Sequence, residues 1–152
     1  MTETGGPEDA VRAYVKLNRA TRAVLAAVEG RVASAGLTLT QLGVLEAVLH
    51  KGPMTQRELG RKVLTSAGNM TDVIDKLAKR GLIDRARRDG RSVLVCLTET
   101  GRMLIQDLFP RHANDIAAAF ASLSPAELAE LDRLLRKLGR AASALEDETG
   151  SP

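Results

Sequence analysis

Arg85, Arg87, Arg88 and Arg91 crowd around the dipeptide Asp89-Gly90, four guanidinium groups at a hairpin turn signal. A tip with this much positive charge has no use in an apolar core. It suits an electronegative groove, and arginine is drawn to the narrow minor groove of A·T-rich duplex. Upstream, Ser66, Gly68 and Asn69 open a segment whose opposite side carries Met70, Val73 and Leu77. Short polar side chains and exposed N–H groups at a helix start suit phosphate contact, and the Asn69 amide matches an adenine edge. Thr65 reads as a plain cap, whereas Gly68 weakens a helix interior, which close backbone approach to a duplex explains. Lys76 joins this set as a further cation on the same segment. Gln56 and Arg57 stand at the start of the preceding helix, placed either for backbone contact or as solvated surface. Together these residues point to binding a double-stranded nucleic acid.

Catalysis and metal binding find no such constellation. The chain has two histidines, His50 and His112, and one cysteine, Cys96. The histidines are too far apart in sequence for a metal motif, and no Cys/His spacing marks a zinc site. Cys96 alternates with Val95 and Leu97 on a strand and has no neighbouring His or Cys to lower its pKa, so it reads as a small packing residue. No enzyme, metal or cofactor is expected.

These residues need elements to position them. Thr55-Gln56-Arg57-Glu58 is a capping box, in which the Thr55 side chain and the Glu58 carboxylate satisfy each other's backbone N–H. Met54 and Leu59 flank it as a hydrophobic staple, with Val63 one turn further on. Thr65-Ser66 starts a second helix with Met70, Val73, Ile74 and Leu77 on its inner face. Lys79 and Arg80 complement that helix's dipole, and Gly81 takes the left-handed conformation that stops it. Ile83 then begins one strand and Val93-Leu94-Val95-Cys96-Leu97-Thr98 forms another. The order is that of a winged helix-turn-helix, which places one helix in a major groove.

Around this module lie helices. One runs from about Glu8 to Ala35, with Leu17, Thr21, Val24, Val28 and Val32 in helical register, and Gly36 stops it. Thr38-Leu39-Thr40-Gln41 starts another; Leu42, Leu45 and Leu49 form one stripe and Val44 and Val48 a second, so it belongs in the middle of the domain. Beyond the wing, a helix runs from Thr98 or Glu99 towards Ser122, lined by Met103, Leu104, Leu108, Ile116 and Phe120 and kinked or broken at Pro110. Ser124-Pro125-Ala126-Glu127 starts the last, striped by Leu128, Leu131, Leu134, Leu135 and Leu138 and interrupted at Gly139.

With 152 residues, 44% hydrophobic and 27% charged, the chain reads as a single mainly α domain with a small β-wing. Aromatics are only 2%, so the core rests on Leu, Val, Ile and Ala. The net charge of +3 is unevenly spread. Residues 51 to 91 hold eleven Lys or Arg against five acids, and the remainder eleven against fourteen. Positive charge thus gathers in the segment assigned to the duplex, where counterion release supplies affinity. No signal peptide or membrane span is visible and one cysteine fits a reducing compartment, so a cytoplasmic protein is expected.

The stretch from 53 to 101 resembles the MarR family of bacterial transcriptional regulators. Similar are the helix from Leu37 to Lys51, the Leu82-Ile83 strand entry, the Asp89-x-Arg91 wing tip, Leu97-Thr98-x-x-Gly101 and the Leu138-Gly139 ending, roughly over residues 8 to 145. The resemblance implies a homodimer, with 8–36 and 99–145 as dimerisation helices flanking a DNA-binding lobe at 37–98. A two-fold dimer implies a pseudo-palindromic operator, its half-sites ~34 Å apart. Arg91 matches the wing arginine that enters the minor groove, held by Asp89, while Arg87 and Arg88 meet phosphates. The wing is shorter than the family's by a few residues. Asp72 stands where a basic residue is common, and either accepts from a cytosine amine or faces an arginine of the protein. The family's effector crevice implicates Tyr14, Leu17, Phe109 and His112, and a repressor released by a small phenolic or aromatic effector. The rival reading is a winged-helix module that binds a protein instead of DNA.

Overall fold

The computed structural model describes residues 5–63, 67–88, 90 and 92–149, and at 67, 68, 88 and 146–149 the backbone alone. Its elements run in the order α1 (Pro7–Ser34), α2 (Leu39–Lys51), β1 (Met54–Thr55), α3 (Gln56–Val63), α4 (Ala67–Lys79), β2 (Ile83–Arg88), β3 (Ser92–Leu97), α5 (Glu99–Ala119) and α6 (Pro125–Thr149). Two compact units divide the chain, the first reaching Ile116 and the second starting at Ala117.

The starts of α2, α3 and α6 carry the chemistry expected of them, while the Thr65-Ser66 start of α4 lies outside the described residues. The Thr38 hydroxyl accepts from the Gln41 backbone N–H at 3.1 Å, and Gln41 Oε1 accepts from the Thr38 N–H at 2.9 Å. Thr55 and Glu58 exchange the same pair of bonds at 2.8 and 3.2 Å, as do Ser124 and Glu127. Each box satisfies two donors that a helix start otherwise leaves without partners.

The first unit is built around α2. Leu42, Val44, Leu45, Ala47 and Val48 are all buried, as two apolar stripes on one helix require. Val32 of α1, Leu59 of α3, Met70, Val73, Ile74 and Leu77 of α4, Ile83 and Val95 of the sheet and Ile105 and Leu108 of α5 join them in one cluster. Each fully buried side chain of this size contributes roughly 1.5–3 kcal/mol of transfer free energy. The inner face of α4 is the one read from its spacing. On α5 the phase differs: Ile105, Leu108 and His112 are buried and Met103 is exposed. In a segment with apolar residues at 103, 104, 105, 108 and 109, helical spacing alone admits more than one face, and packing selects among them.

The sheet has three strands, not the two of the hairpin alone. Its order is β1-β3-β2, all antiparallel, with Met54 opposite Val95, Thr55 opposite Leu94, and Ile83 through Arg88 opposite Leu97 through Ser92. β1 has no periodicity because it has only two residues; its partner on β3 makes it a strand.

Two junctions hold the wing to the helices. Gly81 has φ 69°, and the following Leu82 N–H donates to the Leu77 carbonyl at 3.1 Å, closing the end of α4. The Thr98 hydroxyl donates to the Gly81 carbonyl at 2.6 Å and accepts from the Gly101 N–H at 3.0 Å, capping α5. At Gly101 a Cβ would lie 1.9 Å from the Leu82 carbonyl oxygen, so α5 meets the Leu82 backbone directly and only glycine fits. The Leu97-Thr98-x-x-Gly101 pattern is thus a joint between wing and α5. Neither Pro110 nor Gly139 breaks its helix: α5 runs through Pro110 to Ala119, and α6 through Gly139.

Candidate nucleic-acid interface

The α4 helix has a divided surface. Met70, Val73, Ile74 and Leu77 face the core, while Asn69, Thr71, Asp72, Asp75, Lys76 and Lys79 are exposed. Gln56, at the start of α3, donates from Nε2 to the Thr71 hydroxyl at 2.6 Å. Its side chain thus braces α3 against α4. Arg57 beside it is exposed.

The two acids on the outer face of α4 have separate partners. Asp72 Oδ2 lies 2.8 Å from Lys76 Nζ, one turn along the helix. Of the two alternatives for Asp72, the internal partner is present, but it is a lysine of its own helix. The arginine that an α4 acid meets is Arg85 of β2, paired with Asp75. Both pairs are exposed, so each is worth at most about 1 kcal/mol to stability. Their effect is on the field: they mute two carboxylates that would otherwise repel phosphate.

Arg57, Arg61, Lys62, Lys79 and Arg87 are exposed and have no ion-pair partner among the described residues. Arg87 lies opposite Val93 and Arg88 opposite Ser92 near the hairpin end, where Gly90 has φ 74°. The site therefore combines an outward polar helix face with unneutralised cations on its flank and wing. Thr65, Ser66, Asp89 and Arg91 lie outside the described residues, and at Gly68 the backbone alone is described.

A second feature lies on the same unit. A largely apolar recess of about 350 Å³ is bounded by Val24 and Val28 of α1, Leu42 and Glu46 of α2, and Phe109 and His112 of α5. His112 is 7% exposed, and its Nδ1 has no hydrogen-bond partner among the described residues. His50 Nδ1 lies 3.0 Å from Glu46 Oε1, and the His50 ring meets Phe109 edge-on at 5.3 Å between centroids. Just beyond, Arg31 of α1 grips Asp115 of α5 through Nε at 2.6 Å and Nη2 at 3.1 Å. That bidentate hydrogen bond holds the Asp115 carboxyl below its ordinary range. The structure thus brings Phe109 and His112 together but leaves Tyr14 and Leu17 on exposed turns of α1, outside the recess lining. Glu46 was missed by the sequence reading, although it is the one acid in an otherwise apolar and neutral stretch of α2.

An exposed polar reading helix, braced by α3 and flanked by an antiparallel wing, defines a winged helix-turn-helix protein. The profile of the MarR family matches residues 37–93. Among similar proteins, the Bacillus subtilis HTH-type transcriptional regulator YkoM is 40% identical over 68% of this chain and 69% of its own. The Bacillus subtilis HTH-type transcriptional regulator MhqR is 31% identical over 87% of this chain and 92% of its own. The solved structure of Bordetella bronchiseptica BpsR, whose DNA binding is regulated by 6-hydroxynicotinic acid, is 29% identical with a TM-score of 0.77, covering 84% of this chain and 98% of that one. The chain belongs to the MarR family of helix-turn-helix transcriptional regulators, and its relatives are regulators rather than enzymes.

Proposed function

We propose that this regulator is a homodimeric repressor that reads a pseudo-palindromic operator and is released by a small phenolic or aromatic effector. Residues 37–98 form the reading lobe and 8–36 with 99–145 the dimerisation helices, in a single functional domain acting in the cytoplasm. The observation that carries the DNA-binding part is the divided surface of α4, apolar inward and polar outward, beside exposed cations such as Arg57 and Arg87 that have no ion-pair partner among the described residues. Asn69, Lys76, Arg57, Arg87, Arg88 and Arg91 supply the contacts, with Ser66 and Gly68 at the helix start and Asp89 orienting Arg91.

The recess at α1, α2 and α5 supports the effector part. A buried nitrogen without a partner is uncommon and costs about 1–3 kcal/mol. A planar ring with a hydroxyl fills the apolar walls and gives His112 Nδ1 its missing bond. The recess is walled by α1, from the dimerising part, and α2, from the reading lobe, so an occupant biases how one sits against the other.

The test is binding of the purified protein to its own upstream region and to duplexes selected from a random pool, over a salt series. Steep salt dependence, weakened by Arg91→Ala, is the expected result. Hydroxylated aromatics should then release the duplex, and His112→Leu should blunt release while preserving effector-free affinity. Salt-insensitive binding no better than to random duplex would sink this reading in favour of a protein-binding module.

A further inference from the structure

Arg80, the residue after α4, was expected to complement the dipole of its own helix. It instead reaches 44 residues back in sequence. Its Nη1 donates to the Gly36 carbonyl at 2.6 Å and its Nη2 to the Ala35 carbonyl at 3.3 Å. These carbonyls stand at the end of α1, where the helix turns through Gly36 at φ 73°. A Cβ on Gly36 would lie 3.5 Å from both terminal nitrogens, so the guanidinium sits directly over this glycine.

A guanidinium on the carbonyl end of a helix joins charge-assisted hydrogen bonding to a favourable dipole. Here the cation belongs to the recognition helix and the carbonyls to α1. Apolar packing of Met70, Val73, Ile74 and Leu77 holds α4 against the core, and the two-pronged Arg80 clamp adds a directional tie between the end of α4 and the end of α1. A tilt of about 10° along a helix of ~20 Å moves its far end by ~3.5 Å, close to one base-pair step.

We propose that Arg80 is a positioning residue which sets the recognition helix against the α1 arm and so selects the half-site spacing this regulator accepts. The inference rests on the homodimeric reading proposed above. Both terminal nitrogens of Arg80 are engaged by carbonyls, which separates this role from phosphate contact.

The experiment starts from a two-half-site duplex selected from a random pool by the wild-type protein. Affinity is measured on that duplex, on versions with the spacer changed by about one or two base pairs, and on an isolated half-site, for wild type, Arg80→Ala and Arg80→Lys. Arg80→Ala should bind the best full site about tenfold more weakly, as loss of a charge-assisted bond predicts, with half-site affinity and salt slope unchanged. Its spacing profile should flatten, and Arg80→Lys, with one donor on Gly36, should restore part of the preference. Should Arg80→Ala fail to fold, Arg80→Lys and Arg80→Gln carry the same comparison. An unchanged spacing profile overturns the proposal, as does an equal loss on full and half sites. A salt slope reduced by about one marks a phosphate contact and also overturns it. A wild-type selection yielding only single half-sites overturns the homodimeric reading itself, an outcome visible before any variant is made.

Discussion

At Gly101 a hydrogen atom is all that separates α5 from the Leu82 carbonyl, and a methyl group there would overlap it. Gly101→Ala must therefore push the helix off the wing or break the Thr98 cap. The expected loss is about 3 kcal/mol or more, read as a lowered urea midpoint. The Arg31–Asp115 pair gives a pH-dependent prediction. The folded carboxyl is held below the ordinary aspartate value of about 3.9 by its bond to Arg31. A depressed folded pKa stabilises above the unfolded value, and the benefit is lost as pH falls through the folded one. Asp115→Asn should thus be less stable than wild type at neutral pH, with the gap closing below about pH 4 in thermal melts. A gap that persists in acid would mean that packing, not charge, supplies the effect.

Helix starts show how much of an element is local. Thr38 with Gln41, Thr55 with Glu58 and Ser124 with Glu127 form reciprocal boxes three residues apart, and each was legible because both partners lie within one turn. Thr38→Ala should cost about 1 kcal/mol in denaturant titration, more than an exposed cap, since Gln41 is 8% exposed and loses a partner. The burial of α2 and α4 was legible for a similar reason: two stripes on α2 mark a central helix, and the apolar residues of α4 leave one consistent phase. On α5 the phase was not unique, and Ile105 in place of Met103 took the core. Pro110 forfeits a helical hydrogen bond, yet α5 runs on, because Leu108 and His112 on either side are buried and anchor it. The strand β1 escaped notice because its two residues become a strand only opposite Val95 and Leu94.

Across the whole molecule, apolar side chains remain on the outside of the two terminal helices. Val11, Tyr14 and Val15 on α1, and Leu134, Leu135 and Leu138 on α6, are each more than a third exposed. Stripes of this kind mark a partner surface, in keeping with the homodimer proposed. Leu135→Glu combined with Leu138→Glu should leave a folded monomer in sedimentation, with operator affinity reduced by about a hundredfold or more as two-site binding is lost. A dimer of undiminished affinity would assign the stripe another role.

The sequence by itself determined the order of the helices and of the wing hairpin, the capped starts of α2, α3 and α6, the apolar faces of α2 and α4 and the concentration of cations between residues 51 and 91. All of these rest on interactions within one helical turn, or on counting charges, so spacing along the chain records them. Only the tertiary structure decided that Arg80 caps α1 rather than its own helix, that Asp75 holds Arg85, and that Gln56 braces Thr71. It also decided that His112, whose Nδ1 has no partner among the described residues, sits in a recess with Glu46 and Phe109 while Tyr14 and Leu17 stay outside. Arg80 and Gly36, Asp75 and Arg85, Gln56 and Thr71, and Glu46 and His112 are separated by between ten and sixty-six residues. No periodicity connects residues at such distances, and what joins them is the packing of the apolar faces, which sets directions that no local pattern carries.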